Sequence, residues 1–122
     1  MKRVAVIGAS RDPGKFGWKA VQGFLRQGCA VIPVNPREKE IEGLEVYESV
    51  LDVPGPIDMA TIYVPPAEGF RVLEEIAEKQ IPEVWLNPGA DSPELVAHAH
   101  ELGLKPIVAC SLMAIGEPVG AG

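Results

Sequence analysis

The sequence predicts an α/β fold in which helices cover both faces of a parallel sheet of about five strands. Three observations carry that expectation. Short apolar runs alternate with amphipathic stretches along the chain. The runs are continuous, as in strands buried on both faces, and do not alternate with polar residues. The connections are short and rich in turn formers, since 13 Gly and 12 Pro stand among 122 residues with no repeat period. A hydrophobic fraction of 47% excludes a disordered chain, and aromatics at 6% leave the core to Val, Ile, Leu and Ala. The length is that of one domain, residues 1–122, with no room for a second domain bearing its own active site.

The elements follow in order. Val4 to Gly8 reads as a buried strand ending in Gly. After a loop, Phe16 to Gln27 reads as a helix with Ala20, Val21, Phe24 and Leu25 inward and Gly28 at its stop. Cys29 to Val34 is a second strand, and its Pro33 suits a sheet edge or a strand end. Residues 37–44 are charged and loop-like, 45–47 form a short edge strand, and 49–53 form a helical turn. Asp58 to Val64 is a strand stopped by Pro65-Pro66. Pro66 opens a helix running to Lys79 with Phe70, Leu73, Ile76 and Ala77 inward. Glu83 to Leu86 is a strand, Ser92 caps a helix whose first residue is Pro93, and Lys105 to Ala109 is the last strand. Residues 116–122 have little to bury and read as a loose tail. Five strand–helix alternations with short connections give a single Rossmann-like doubly wound unit, with main strands ordered 2-1-3-4-5.

Charge and cysteines narrow the partners. Eleven Lys and Arg against 17 Asp and Glu give a net charge of −6, which excludes the basic face a nucleic acid requires. Cys29 and Cys110 lie far apart, so neither a zinc site nor a disulfide framework is indicated, and no metal is expected. Cys110 reads as a small hydrophobe before it reads as a reactive thiol. His98 and His100 stand two apart on a helix and cannot share a metal-binding face. The apolar run after Met1-Lys2-Arg3 is too short for a signal peptide or a membrane span. A cytoplasmic protein without a membrane partner is expected, and an exposed edge strand would suit a homodimer.

In an open parallel sheet, ligands bind beyond the carboxyl ends of the strands, where strand order reverses. Four loops meet there, starting at Gly8, Asn35, Val64 and Asn87. The first, Gly8-Ala9-Ser10 through Gly14-Lys15-Phe16-Gly17, is neither GxGxxG nor a P-loop, but it opens a helix directly after a strand. Its small residues admit a close phosphate, although they also suit a plain tight turn. Arg11 and Lys15 can add charge there. The second, Val34-Asn35-Pro36-Arg37, lacks the acid that bonds the ribose hydroxyls of NAD. Its Arg37 favours a phosphorylated ribose or is a solvated loop charge. Val64-Pro65-Pro66 offers apolar rings for a flat base or a pantetheine arm, or simply ends a strand. Asn87-Pro88-Gly89-Ala90 supplies an amide and exposed backbone.

These motifs, with Ile41-Glu42-Gly43, Tyr47-Glu48-Ser49, Asp52-Val53-Pro54, Ile57-Asp58, Trp85-Leu86 and Cys110, give the chain a resemblance over nearly its whole length. It resembles the stand-alone CoA-binding domain proteins, which are related to the N-terminal domain of the succinyl-CoA synthetase α subunit. The resemblance implies a Rossmann-like domain that binds coenzyme A or an acyl-CoA and has no catalytic residue of its own. Gly8, Ala9 and Ser10 would approach the phosphates, beside Phe16, and Lys15 and Arg37 would neutralise them. Val34, Asn35 and Pro36 would line the nucleotide side, Val64, Pro65 and Pro66 the adenine or pantetheine path, and Asn87 and Gly89 would close the site. The chain departs from the family pattern in having Asn87 where Gln is frequent, Ala114 where a Glu commonly follows the cysteine, and no helix before the first strand. The ligase's phosphorylated histidine has no counterpart, so ligase chemistry does not carry over. Two rival readings are an NADP-binding oxidoreductase-like protein and a regulatory subunit with a vestigial nucleotide site.

Overall fold

A computed structural model describes residues 1–118. Strands β1 (Arg3–Ile7), β2 (Ala30–Val34), β5 (Met59–Ile62), β6 (Glu83–Leu86) and β7 (Ile107–Val108) form one parallel sheet in the order β2-β1-β5-β6-β7. This is the expected 2-1-3-4-5 order. Helices α1 (Phe16–Arg26), α2 (Pro66–Lys79), α3 (Pro93–Glu101) and α4 (Ser111–Ala114) complete the layers, and a 3-10 turn spans Val50–Asp52.

The alternation of side chains along β1 decides which helix covers which face. Val4 and Val6 join Ala20, Val21 and Phe24 of α1 and Leu112 of α4 in one apolar cluster. Ala5 and Ile7 join Val72, Leu73 and Ile76 of α2 and Leu95 of α3 in the other. Each fully buried Val, Leu, Ile or Phe contributes about 1.5–3 kcal/mol relative to exposure, so both faces are needed to hold a sheet this small.

Register matters more for function. Ile7 pairs with both Val34 and Ile62, and Ile62 pairs with Leu86. Four strands therefore end level, and the four loops that follow start side by side. Pro33 lies in the outermost strand, where its missing N–H faces the sheet edge. Its carbonyl accepts from the N–H of Tyr47 at 3.1 Å, and Asn35 N–H donates to Tyr47 O at 2.9 Å. The expected edge strand is thus reduced to a single bridge, Val34 to Tyr47.

Several expectations are corrected. The stretch 37–44 is not simply a loop: β3 (Glu40–Ile41) and β4 (Leu44–Glu45) form an antiparallel hairpin. Its two turn residues, Glu42 and Gly43, both have positive φ (53° and 76°), the conformation of a tight hairpin turn. Ile41 anchors the hairpin in the core. Phe70 and Leu25, expected inward, are 36% and 37% exposed, because each lies on the flank of its helix and not on its buried stripe. Phe70 instead rests beside His98, with ring centroids 5.4 Å apart. The strands and helices end in α4, which the sequence reading did not anticipate.

The tail also differs from its expectation. Glu117 is buried, its N–H donates to Leu112 O at 3.0 Å, and its carboxylate accepts from Arg26 Nε (2.8 Å) and Gln27 Nε2 (2.7 Å). Residues 119–122 of the expected loose tail lie outside the described residues. No helix among the described residues is long and apolar enough to cross a membrane.

Candidate functional site

The centre of the site is the turn from β1 into α1. Gly8 has φ +92°, and a Cβ there would stand 3.1 Å from the carbonyl carbon of Tyr63 and the nitrogen of Val64. A Cβ on Gly17 would overlap the carbonyl oxygen of Gly8. The first turn of α1 therefore sits directly on the end of β1, as only glycine at position 17 permits. The intervening loop braces itself. Ser10 Oγ accepts from Asp12 N–H at 3.0 Å, and the Asp12 carboxylate accepts from Gly14 N–H at 2.9 Å. Lys15 N–H donates to Asp12 O at 3.0 Å.

The helix that follows is left open at its start. Lys15 is the N-cap residue and makes no side-chain cap hydrogen bond. Among the described residues the N–H groups of Phe16 and Gly17 find no acceptor. Free amides at the positive end of a helix dipole favour an anion. They face a cleft of about 440 Å³ lined by Gly8, Gly14, Lys15, Phe16, Gly17, Tyr63, Pro65, Pro88 and Gly89.

Two further hollows flank this cleft. On one side, a narrow hollow has an apolar floor of Ile7, Val34, Val50, Val64 and Val72, with Pro36, Glu48, Glu68, Arg71 and Glu75 at its rim. It shares Gly8 with the cleft. On the other side, a hollow of about 210 Å³ is lined by Phe16, Tyr63, Asn87, Pro88, Cys110 and Met113. It shares Phe16, Tyr63 and Pro88 with the cleft. The three hollows run in series along the level strand ends.

The structure places the candidate residues in distinct roles. Gly8, Lys15, Phe16, Pro65 and Gly89 line the central cleft, and Val34, Pro36 and Val64 line the narrow hollow. Ala9 is fully buried, and its carbonyl accepts from Asn35 Nδ2 at 2.7 Å. Asn35 Oδ1 accepts in turn from Arg37 N–H at 2.7 Å, so this amide ties the first loop to the second. Arg37 is exposed and lines none of the three hollows. Pro66 begins α2. Arg11 forms an exposed ion pair with Glu38 at 3.7 Å.

Asn87 is 1% exposed, and its amide is committed inside the protein. Its Nδ2 donates to Thr61 Oγ1 (2.7 Å) and Ile62 O (2.9 Å). Its Oδ1 accepts from Ser111 N–H (2.9 Å) and Ser111 Oγ (3.1 Å). The same network reaches Tyr63, whose hydroxyl lies 3.2 Å from Ser111 Oγ. Burial raises the Tyr63 phenol above its ordinary value of 10.0, against the opposing effect of its hydrogen bonds to Ser111 and Thr61, so it stays protonated at neutral pH. Sequence reasoning had not singled out Tyr63, Glu48, Glu68, Pro88 or Met113 as lining residues. Tyr63 was legible only as the last residues of a strand, immediately before a candidate loop. No group of three or more His, Cys, Asp or Glu able to hold a metal occurs among the described residues.

Comparison with known proteins gives this arrangement a family. Residues 2–116 match the family described as the CoA binding domain. The chain is 36% identical over 113 residues to the α subunit of the ADP-forming acetate–CoA ligase II of Pyrococcus furiosus, covering 84% of this chain and 25% of that subunit. It therefore spans about a quarter of that relative's length. It is 29% identical over 102 residues to the uncharacterized protein YneT of Bacillus subtilis, covering 84% of this chain and 76% of that protein. A conserved hypothetical protein of Pyrococcus furiosus superposes with a TM-score of 0.86 at 33% identity, covering 93% of this chain and 99% of the other. The fold, the open helix start and the matched span agree: this chain belongs to the CoA binding domain family.

Proposed function

We propose that this chain binds coenzyme A or an acyl-CoA and catalyses no reaction of its own. The observation that carries the reading is the series of three hollows centred on the open start of α1. Coenzyme A has the same order: a nucleoside at one end, a pyrophosphate in the middle, and an apolar arm ending in a thiol. The free amides of Phe16 and Gly17, with Lys15, take the pyrophosphate. The adenine lies over the mouth of the narrow Val34, Pro36 and Val64 hollow, the turn at Gly8 and Ser10 lies against the phosphates with buried Ala9 shaping it from beneath, and Pro65, Pro66 and Gly89 border the path of the arm. Arg37 reaches the ribose phosphate from solvent, Asn35 ties the first loop to the second, and Asn87, its polar atoms engaged inside the protein, closes the third hollow. The titratable side chains on the walls of the two larger hollows are Lys15, Tyr63 and Cys110, and among the described residues none of them is hydrogen-bonded to a carboxylate or imidazole that could act as its base, which supports a binding role.

Calorimetric titration with CoA, dephospho-CoA, NADP and NAD tests the reading. CoA is expected to bind tightest, and equal binding of NAD overturns it. Arg37→Ala is expected to weaken CoA up to about fivefold, as for an exposed ion pair, and to leave dephospho-CoA unchanged. An acyl-CoA incubated with the chain is expected to be recovered intact.

A further inference from the structure

The rim of the narrow hollow is built more firmly than the stacking of a flat base requires. Above its apolar floor stand Glu48, Glu68, Arg71 and Glu75. Glu48, Glu68 and Arg71 are exposed. Glu75 differs, because its side chain is only 20% exposed and two elements hold it. Its Oε1 accepts from Ser49 Oγ at 2.8 Å, and its Oε2 accepts from Arg71 Nη1 at 3.0 Å. Ser49 is fixed in turn, since its Oγ accepts from Leu51 N–H at 3.1 Å. A carboxylate has about four lone-pair sites, so Glu75 keeps acceptor capacity after both bonds are made. Hydrogen-bond donors are scarcer on this rim. Pro36 brings no N–H, Glu68 N–H donates to Pro65 O at 3.0 Å, and the Arg71 guanidinium is tied to Glu75.

We infer that Glu75 is a specificity residue for the base: its carboxylate accepts a hydrogen bond from the exocyclic amine of adenine and so selects an aminopurine over an oxopurine. The inference rests on the reading of the mouth of this hollow as the adenine site. An ionised carboxylate only accepts. It pairs with the amine of adenine and repels the carbonyl oxygen that hypoxanthine carries in the same place. Ser49 and Arg71 already fix the carboxylate, so little rotamer freedom is lost when the base arrives. Three carboxylates against one guanidinium also make the rim negative. That field turns the ribose phosphate away from the rim and toward Arg37, which lies outside the hollow. The rim thus sorts the two ends of the nucleotide by charge.

The test is calorimetric titration of the full chain with CoA and with its deaminated analogue, in which hypoxanthine replaces adenine. The native chain is expected to bind CoA about tenfold tighter, as for a hydrogen bond to a charged group. Glu75→Gln keeps an oxygen for Ser49 or Arg71 and adds an amide N–H that donates to a purine carbonyl. It is expected to weaken CoA, strengthen the deaminated analogue and remove most of the preference. A side chain that only ties α2 to the 3-10 turn would change both affinities alike, so an unchanged ratio in Glu75→Gln overturns the inference. Equal binding of the two ligands by the native chain overturns it without any variant, and the CoA site then stands. If neither ligand binds, the CoA site and the inference built on it fall together.

Discussion

Asn87 stands at the point where β6 ends and the last helix begins, and four hydrogen bonds hold its amide there. Its Nδ2 fixes Thr61 and Ile62 of β5, while its Oδ1 receives the first N–H of α4. Asn87→Ala is expected to strand the Ser111 N–H in the core and cost about 1–3 kcal/mol, read from the midpoint of urea unfolding. A loss near zero would mean that water takes over the bonds. Residue type alone marked Asn87 as a loop amide beside the site. Whether that amide faces the ligand or the core depends on the pairing of Ile62 with Leu86, which one residue does not encode. The first loop was more legible, because a glycine directly after a buried strand and another at the helix start leave few other uses.

At the scale of elements, run length decided what could be read. The helices α1, α2 and α3 have 11, 14 and 9 residues, enough for two or more turns of an apolar stripe. Their ends carried signals as well. Ser92 Oγ accepts from Leu95 N–H at 3.1 Å and Pro93 follows, as the Ser-Pro-Glu sequence indicates. Ser92→Ala is expected to cost about 1 kcal/mol in denaturant unfolding. By contrast, β3 and β4 have two residues each and α4 has four, less than the patterns need to repeat, whereas β7, also of two residues, lies within the expected strand Lys105 to Ala109. The hairpin had one local cue, Glu42-Gly43, in a stretch whose charges argued for a loop. Phe70 and Leu25 show the same limit from the other side, since a position at the margin of a helical stripe is settled by the neighbouring helix.

For the molecule as a whole, the joining of the described carboxyl end to α1 was the least legible feature. Glu117 follows a glycine and precedes a proline, and its partners Arg26 and Gln27 lie on the far side of the chain's sequence. Hydrogen bonds from Arg26 and Gln27, with the Arg26 charge, hold the Glu117 carboxyl below its ordinary value of 4.5, against the opposing effect of burial. A depressed carboxylate contributes stability above its unfolded value and loses it as pH falls toward the folded one. The stability advantage of the native chain over Glu117→Gln is therefore expected to hold at neutral pH and to shrink below about pH 4.5, measured by urea unfolding across pH 3–7. A gap that does not change with pH would assign the effect to packing. The net charge of −6 sets the complementary condition for the site: an anion is held by local amides and a few cations, against the field of the rest. The Glu117 clasp has a kinetic consequence too. It joins residues 91 positions apart, and contacts across so long a loop form after the nearer ones have closed the intervening chain. An interaction made that late leaves the folding rate almost untouched and sets how slowly the molecule opens.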